Sequence, residues 1–343
     1  MKKLFGALLF TIMITNNSCQ EPYSNEDQIS TIGPLTLIIH GGAGTILRQN
    51  MTTELENEYR EKLKEALNAG YAILDAGGSS RDAVIASIII MEDSPLFNAG
   101  KGAVFTSEGK NEMDAAVMDG NTGMAGAVAG IKVIKNPILA AIEVMENSPH
   151  VMMSGKGAET FAIEQGLETA DSAYFYTQHR YDQLLRAKSR DAATGLHNSF
   201  TDTKFGTVGA VALDKSGNIF AGTSTGGTTN KKWGRIGDAP IIGAGTYAEN
   251  ATCGISCTGA GEYFIRSVVA HDVAAIMRYT GKSVRDAAEE VVMKKLVGKN
   301  GDGGLIALDR KGNFALTFNT PGMYRGYINE KGRAKVMIYK DEE

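Results

Sequence analysis

Two stretches of the chain carry one pattern: Gly209-Ala-Val-Ala-Leu-Asp-Lys-Ser-Gly-Asn-Ile219 and Gly304-Leu-Ile-Ala-Leu-Asp-Arg-Lys-Gly-Asn-Phe314. Each is an apolar run, an Asp-x-x-Gly-Asn turn and a second apolar run, which predicts a β-hairpin. Between them lie two helical patterns, about Glu262–Tyr279 and Val284–Leu296. A chain that returns to the same hairpin on either side of a helical pair suggests antiparallel sheet covered by helices on its outer faces.

The segment before the first hairpin fits that layering. Leu35 to Ile39 is a short apolar strand running into His40-Gly-Gly-Ala-Gly44. Residues 52–75 place apolar side chains at helical spacing among Glu, Lys and Arg, and Gly77-Gly78 supplies the stop. Ser80 opens a second helix with Asp82 in its first turn. Pro95 to Gly109 is a glycine-punctuated loop, Met113 to Val133 is rich in Ala, Gly and Val, and Pro137 to Glu146 is a third helix. Residues 165–204 are polar and weakly periodic, a helix fading into a mobile linker that ends at Gly206. No linker divides the chain after residue 35, so 35–343 is expected to be a single domain.

The N-terminus reads as a separate object. Met1-Lys2-Lys3 is basic, Leu4 to Thr15 is an apolar run too short to span a bilayer as a helix, and Cys19 follows. Residues 1–18 are therefore expected to be a signal peptide, with Cys19 as a lipid-accepting residue and 19–34 as a tether. That expectation places the protein outside the bacterial cytoplasm, periplasmic or anchored to the membrane only through the N-terminal lipid. Asn16 and Asn17 depart from the small, apolar residues of such a cleavage site. A net charge of −4 with scattered basic residues gives no sign of a nucleic-acid partner. Cys253 and Cys257, four apart in an extended segment, are separated by roughly 13 Å and are read as small core residues. No histidine stands at ligand spacing from them, so they do not suggest a metal site.

Two segments invite a reading as catalytic machinery. Gly222-Thr-Ser224-Thr-Gly226 matches the G-x-S-x-G elbow of serine hydrolases, but the residues after it are poor helix sequence, and the next histidine, His271, sits inside a helical pattern. The better candidate is Gly206-Thr207-Val208-Gly209. A threonine hydroxyl needs a base, and a chain broken before Thr207 supplies one in its own α-amino group, whose pKa near 7.7–8.0 leaves an unprotonated fraction at neutral pH. Gly206 lets the backbone approach closely and adopt strained dihedrals. Alone, Thr207-Val208-Gly209 reads first as an ordinary strand.

A set of segments in order along the chain decides the matter. His40-Gly-Gly-Ala-Gly44, Pro95-Leu-Phe-Asn-Ala-Gly-Lys-Gly-Ala-Val-Phe105, Met113-Asp-Ala-Ala-Val-Met-Asp-Gly120, Gly206-Thr-Val-Gly-Ala-Val-Ala212, Thr223-Ser-Thr-Gly-Gly227, Gly234-Arg-Ile-Gly-Asp-Ala-Pro240, Ser256-Cys-Thr-Gly-Ala-Gly-Glu262 and Phe318-Asn-Thr-Pro-Gly-Met-Tyr-Arg-Gly326 together resemble the plant-type asparaginase and isoaspartyl peptidase family. The resemblance covers residues 35 to about 328. It implies an α+β fold, the four-layer αββα sandwich of the N-terminal-nucleophile hydrolases. It implies self-cleavage between Gly206 and Thr207 into an α chain, 35–206, and a β chain, 207–343. Thr207 would be the nucleophile of both cleavage and turnover, Thr225 would orient it, and Thr258 with the Gly259 amide would form the oxyanion hole. Arg235 would grip a substrate α-carboxylate and Asp238 its α-ammonium, a pairing that matches a guanidinium fork to a carboxylate and a carboxylate to an amine. Gly41 and Gly42 would lie near the scissile bond, and Asn98 would set the active-site backbone. The chemistry would need no cofactor. A sodium ion would be held by the backbone carbonyls of Met91, Glu92, Ser94, Phe97, Ala99 and Lys101. The resemblance further implies small-molecule substrates, β-aspartyl dipeptides and L-asparagine, and a dimer of αβ units. Two other readings remain open at this stage: the related glycosylasparaginases, and a non-catalytic binding lipoprotein on the same scaffold.

Overall fold

Both predicted hairpins form, and they belong to different sheets. The computed structural model describes Met1 and residues 33–194 and 206–342. Residues 2–18 of the expected signal peptide, Cys19, the tether up to Ile32 and the segment 195–205 lie outside the described residues.

The strands are β1 (Thr36–Gly44), β2 (Met113–Asp119), β3 (Ala125–Ile131), β4 (Met152–Ser154), β5 (Val208–Leu213), β6 (Ile219–Thr225), β7 (Thr246–Ala248), β8 (Cys253–Gly259), β9 (Gly303–Asp309), β10 (Phe314–Phe318), β11 (Gly322–Asn329) and β12 (Lys335–Tyr339). One sheet runs β12-β11-β1-β5-β6-β2-β3-β4 and the other β10-β9-β8-β7. The helices are α1 (Thr53–Asp75), α2 (Ser80–Glu92), α3 (Pro137–Asn147), α4 (Gly155–Glu164), α5 (Ser172–Phe175), α6 (Gln178–Thr194), α7 (Gly261–Ser267), α8 (Val269–Thr280) and α9 (Val284–Glu289).

Strand β1 shows how the layers arise. Its side chains alternate faces, and both faces are buried. Leu37 and Ile39 pack with Leu63 and Leu67 of α1 and Val84 and Ile88 of α2 in one apolar cluster. Ile38 points the other way and joins Val211 and Leu213 of β5 with Ile306 and Leu308 of β9 in a cluster between the sheets. A third cluster places Val269 and Val273 of α8 and Ala287 and Ala288 of α9 against Ile255 of β8 and Leu305 of β9. Helices, sheet, sheet and helices follow one another, and this is the αββα sandwich.

The hairpin turns are held by their aspartates. Asp214 Oδ1 accepts the amides of Ser216 and Asn218 at 2.9 and 3.0 Å, and Asp309 Oδ1 accepts those of Lys311 and Asn313, both at 2.9 Å. Gly217 and Gly312 adopt φ of 76° and 78°, a region a side chain disfavours.

Three boundaries differ from the sequence reading. Strand β1 continues through Gly44 instead of ending at Ile39, because a bulge between His40 and Gly42 keeps it paired with β11. The expected Glu262–Tyr279 helix is two helices broken at Val268, whose φ of 47° is left-handed. There the amides of Ala270 and His271 donate to the carbonyls of Ala244 and Gly243, so docking on that loop sets the break. The next helix passes from α9 into a wider π turn over Glu290–Leu296. Cys253 and Cys257 are buried and unbridged on β8, as expected. Among the described residues no helix is long and apolar enough to cross a membrane.

Candidate active site

Strand register brings the first two site residues together. Val208 of β5 stands opposite Ser224 of β6, so Thr207 and Thr225 are the next cross-strand pair and share a face. Their hydroxyl oxygens lie 2.9 Å apart. Thr225 is buried and its oxygen also accepts the Gly227 amide at 3.0 Å. No imidazole serves Thr207 among the described residues. His40 is buried with its Nε2 2.9 Å from Ser256 Oγ. Burial, only partly offset by the Thr207 backbone, pushes the His40 imidazole down to about 3, so it is neutral.

Asn98 ties the flanking loops to this point. Its amide donates to the Gly206 carbonyl at 3.0 Å, and its own carbonyl accepts the Gly226 amide at 2.9 Å. Its side chain donates to the Gly227 carbonyl at 2.7 Å and accepts the Val104 amide at 2.9 Å. The fit is close enough that a Cβ on Gly206 would come within 2.7 Å of the Asn98 Cβ. Behind Asn98, Ser224 Oγ donates to Glu92 Oε1 at 2.6 Å, which joins the end of α2 to the end of β6. Burial pushes the Glu92 carboxyl up to about 8, against the pull of its hydrogen bonds to Ser224 and Ile138. The loop from Met91 to Lys101 curls tightly. A Cβ on Gly100 would lie 2.4 Å from the Glu92 carbonyl oxygen, and one on Gly102 would lie 2.0 Å from that of Phe97.

The β1 bulge reaches the same place from the other side. A Cβ on Gly41 would strike the Phe97 ring at 2.5 Å, and Gly42 takes φ of 109°. The next amide, that of Ala43, donates to Thr258 Oγ1 at 3.3 Å. Thr258 is fully buried on β8, with Gly259 at the strand's end.

Arg235 and Asp238 lie in the connection from β6 to β7. Gly261, the first residue of α7, sits between them: a Cβ there would be 2.8 Å from Arg235 Nη2 and 2.9 Å from Asp238 Oδ1. One small volume is therefore flanked by a guanidinium and a carboxylate. Asp238 is buried, and its Oδ2 has no partner among the described residues. Burial pushes its carboxyl up to about 7, opposed by Arg235 and reinforced by Glu262 and Asp114. Arg235 is not free. Its Nε and Nη2 donate to the two carboxylate oxygens of Glu262, both at 3.0 Å. Buried Lys231 donates to the Glu112 carbonyl at 2.8 Å close by.

The serine-elbow reading does not survive. Ser224 lies within β6, bonded to Glu92, and Gly226-Gly227 leads into a loop instead of a helix. His271 sits in α8 with its ring against Tyr247. The two hairpins, Thr207, Thr225, Arg235 and Asp238 were visible in the sequence. Glu262 was visible as a motif letter without a role, since its partner is 27 positions away. The chain of buried hydroxyls from Ser256 through Thr223 to Thr246, at 2.6 and 2.7 Å, had no local signal at all. Among the described residues no cluster of His, Cys, Asp or Glu is arranged to hold a metal ion.

Four αββα layers, with a threonine at the head of a central strand, define the N-terminal-nucleophile hydrolase class. Within it the chain belongs to the asparaginase family, whose profile matches residues 33–338. It is 52% identical to the isoaspartyl peptidase of Escherichia coli K12 over 315 residues, 91% of this chain and 98% of that one. It is 40% identical to a probable isoaspartyl peptidase/L-asparaginase 2 of Arabidopsis thaliana over 90% of this chain and all of that one. It is 38% identical to the isoaspartyl peptidase/L-asparaginase of Mus musculus over 84% of this chain and 86% of that one.

Proposed function

We propose that the chain cuts itself between Gly206 and Thr207, and that the freed Thr207 then hydrolyses β-aspartyl dipeptides and L-asparagine to release L-aspartate. The Thr207–Thr225 hydroxyl contact of 2.9 Å, in a site whose other end presents Arg235 and Asp238 around Gly261, carries this reading. In maturation Thr207 Oγ1 attacks the Gly206 carbonyl carbon. The C–N bond breaks, an ester forms, the hydroxyl proton passes to the new amine, and water then frees the Gly206 carboxylate and restores the hydroxyl. The Asn98 amide on the Gly206 oxygen holds that carbonyl in place.

In turnover the new α-amino group is the base. Thr207 Oγ1 attacks the substrate's side-chain carbonyl, the amine leaves with a proton, and water resolves the aspartyl ester. Thr258 and the Gly259 amide stabilise the oxyanion, where one donor is worth about 3–4 kcal/mol. Arg235 holds the α-carboxylate and Asp238 the α-ammonium, so the leaving group is left to face solvent and both substrate types fit.

Intact mass of the purified protein tests this. The wild type should resolve into a piece ending at Gly206 and one beginning at Thr207, while Thr207→Ala stays whole and inactive. Cleavage of that variant at the same bond would remove Thr207 from its role. We also propose export, which the mass of the N-terminal piece tests: residues 1–18 should be lost and Cys19 should carry a lipid, and an unprocessed N-terminus would remove it.

The curled 91–101 loop supports a sodium ion bound by the carbonyls of Met91, Glu92, Ser94, Phe97, Ala99 and Lys101, an oxygen-only set suited to a hard cation. Such an ion would hold the loop that carries Asn98 and take no part in the chemistry. The melting temperature should then be several degrees higher in sodium chloride than in choline chloride of equal ionic strength. Equal melting temperatures would remove the ion.

A further inference from the structure

We propose that Glu262 is a positioning residue that locks Arg235, so that the substrate meets only the outer edge of the guanidinium, Nη1 and the outer hydrogen of Nη2. This rests on the reading of Arg235 and Asp238 as the clamp for the substrate's free amino-acid end. Arg235 offers five N–H donors in a planar fork. The Nε and one Nη2 donor already go to Glu262, each at 3.0 Å, in the bidentate geometry that fixes a guanidinium most firmly. What remains is Nη1 and the outer hydrogen of Nη2. Those groups border the space beside Gly261 and Gly237, where added Cβ atoms would lie 2.8 Å from Nη2 and from Nη1 respectively.

The chain places Glu262 for this purpose. It is in the first turn of α7, directly after Gly261, where the helix N-terminus favours an acidic side chain. Arg235 is mostly covered, with its side chain 19% exposed, so an unlocked guanidinium would have few ways to order itself. A second consequence follows from charge. The titratable groups facing buried Asp238 are Arg235 from its own loop, Glu262 from α7, Asp114 from β2 and the thiol of Cys257 on β8, which burial keeps neutral. Glu262 opposes ionisation of Asp238, and removing its charge makes Asp238 ionise at lower pH.

The experiment uses the matured full-length enzyme, its Glu262→Ala and Glu262→Gln variants, L-asparagine and a β-aspartyl-leucine dipeptide. Glu262→Ala should raise KM about tenfold or more for both substrates, with kcat changed less than threefold and self-cleavage at the wild-type rate. Glu262→Gln keeps a hydrogen-bonding partner without the charge, so its KM should fall between. In both variants the acid limb of kcat/KM should move to lower pH. L-aspartate binding by calorimetry should weaken in parallel with KM. Unchanged KM and an unmoved limb in an active enzyme would overturn the positioning role, as would a joint loss of kcat and maturation, which marks a merely structural residue. A wild type that turns over neither substrate would instead defeat the proposed activity, and one that also binds no aspartate would defeat the clamp with it.

Discussion

At the residue scale the site separates its two tasks. Among the described residues the Thr207 hydroxyl meets the Thr225 hydroxyl, while His40, which is neutral, places its Nε2 against Ser256 and touches Thr207 only at the backbone. On the proposed reading the base comes from the chain break itself, so that maturation and activity would share Thr207. Binding, on the same proposed reading, depends on a different titration. Asp238 must be ionised to hold an ammonium, yet burial has raised its carboxyl to about 7. A raised carboxyl is protonated below that value, so KM should climb as pH falls through 7, roughly tenfold per unit once Asp238 is protonated. Steady-state kinetics from pH 5.5 to 8.5 checks this, and a flat KM across that range would mean that Asp238 does not meet the ammonium. The identities of these residues were legible from motifs, but the elevated carboxyl was not, since it follows from depth of burial.

At the element scale the hairpin turns do unequal work. Among the described residues the Asp309 carboxylate serves its own turn, taking the Lys311 and Asn313 amides and the Asn313 side chain. Asp214 serves its turn and also accepts the amide and hydroxyl of Ser80 at 3.0 Å each, which fixes the start of α2 to the end of β5. Each buried donor left unmatched costs on the order of 1–3 kcal/mol. In the uncut Thr207→Ala background, Asp214→Ala should therefore lose about 3 kcal/mol and Asp309→Ala nearer 1–2 kcal/mol. Thermal melts of the two variants decide it, and equal losses would mean the Ser80 contacts contribute nothing. Both turns were readable from Asp-x-x-Gly-Asn. The bond from Asp214 to Ser80, 134 positions away, was not.

For the whole molecule the sheet order sets what cleavage can do. Strands from before Gly206 and after it are interleaved in the larger sheet: β1 lies between β11 and β5, and β2 pairs with β6. Cutting the chain leaves every one of those ladders intact. The two pieces should co-elute in gel filtration and part only in denaturant; separation in native buffer would contradict the interleaving. The sequence alone determined what is local: amphipathic helices, hairpins with their turns, and a nucleophile motif preceded by a glycine, because periodicity and turn chemistry act over a few residues. Only the tertiary structure decided the bulge that carries β1 on to Gly44, the left-handed break at Val268, the Thr207–Thr225 contact and the lock of Glu262 on Arg235. Each of these depends on strand register or on a loop docking from far along the chain, and such long-range pairings leave no period in the sequence.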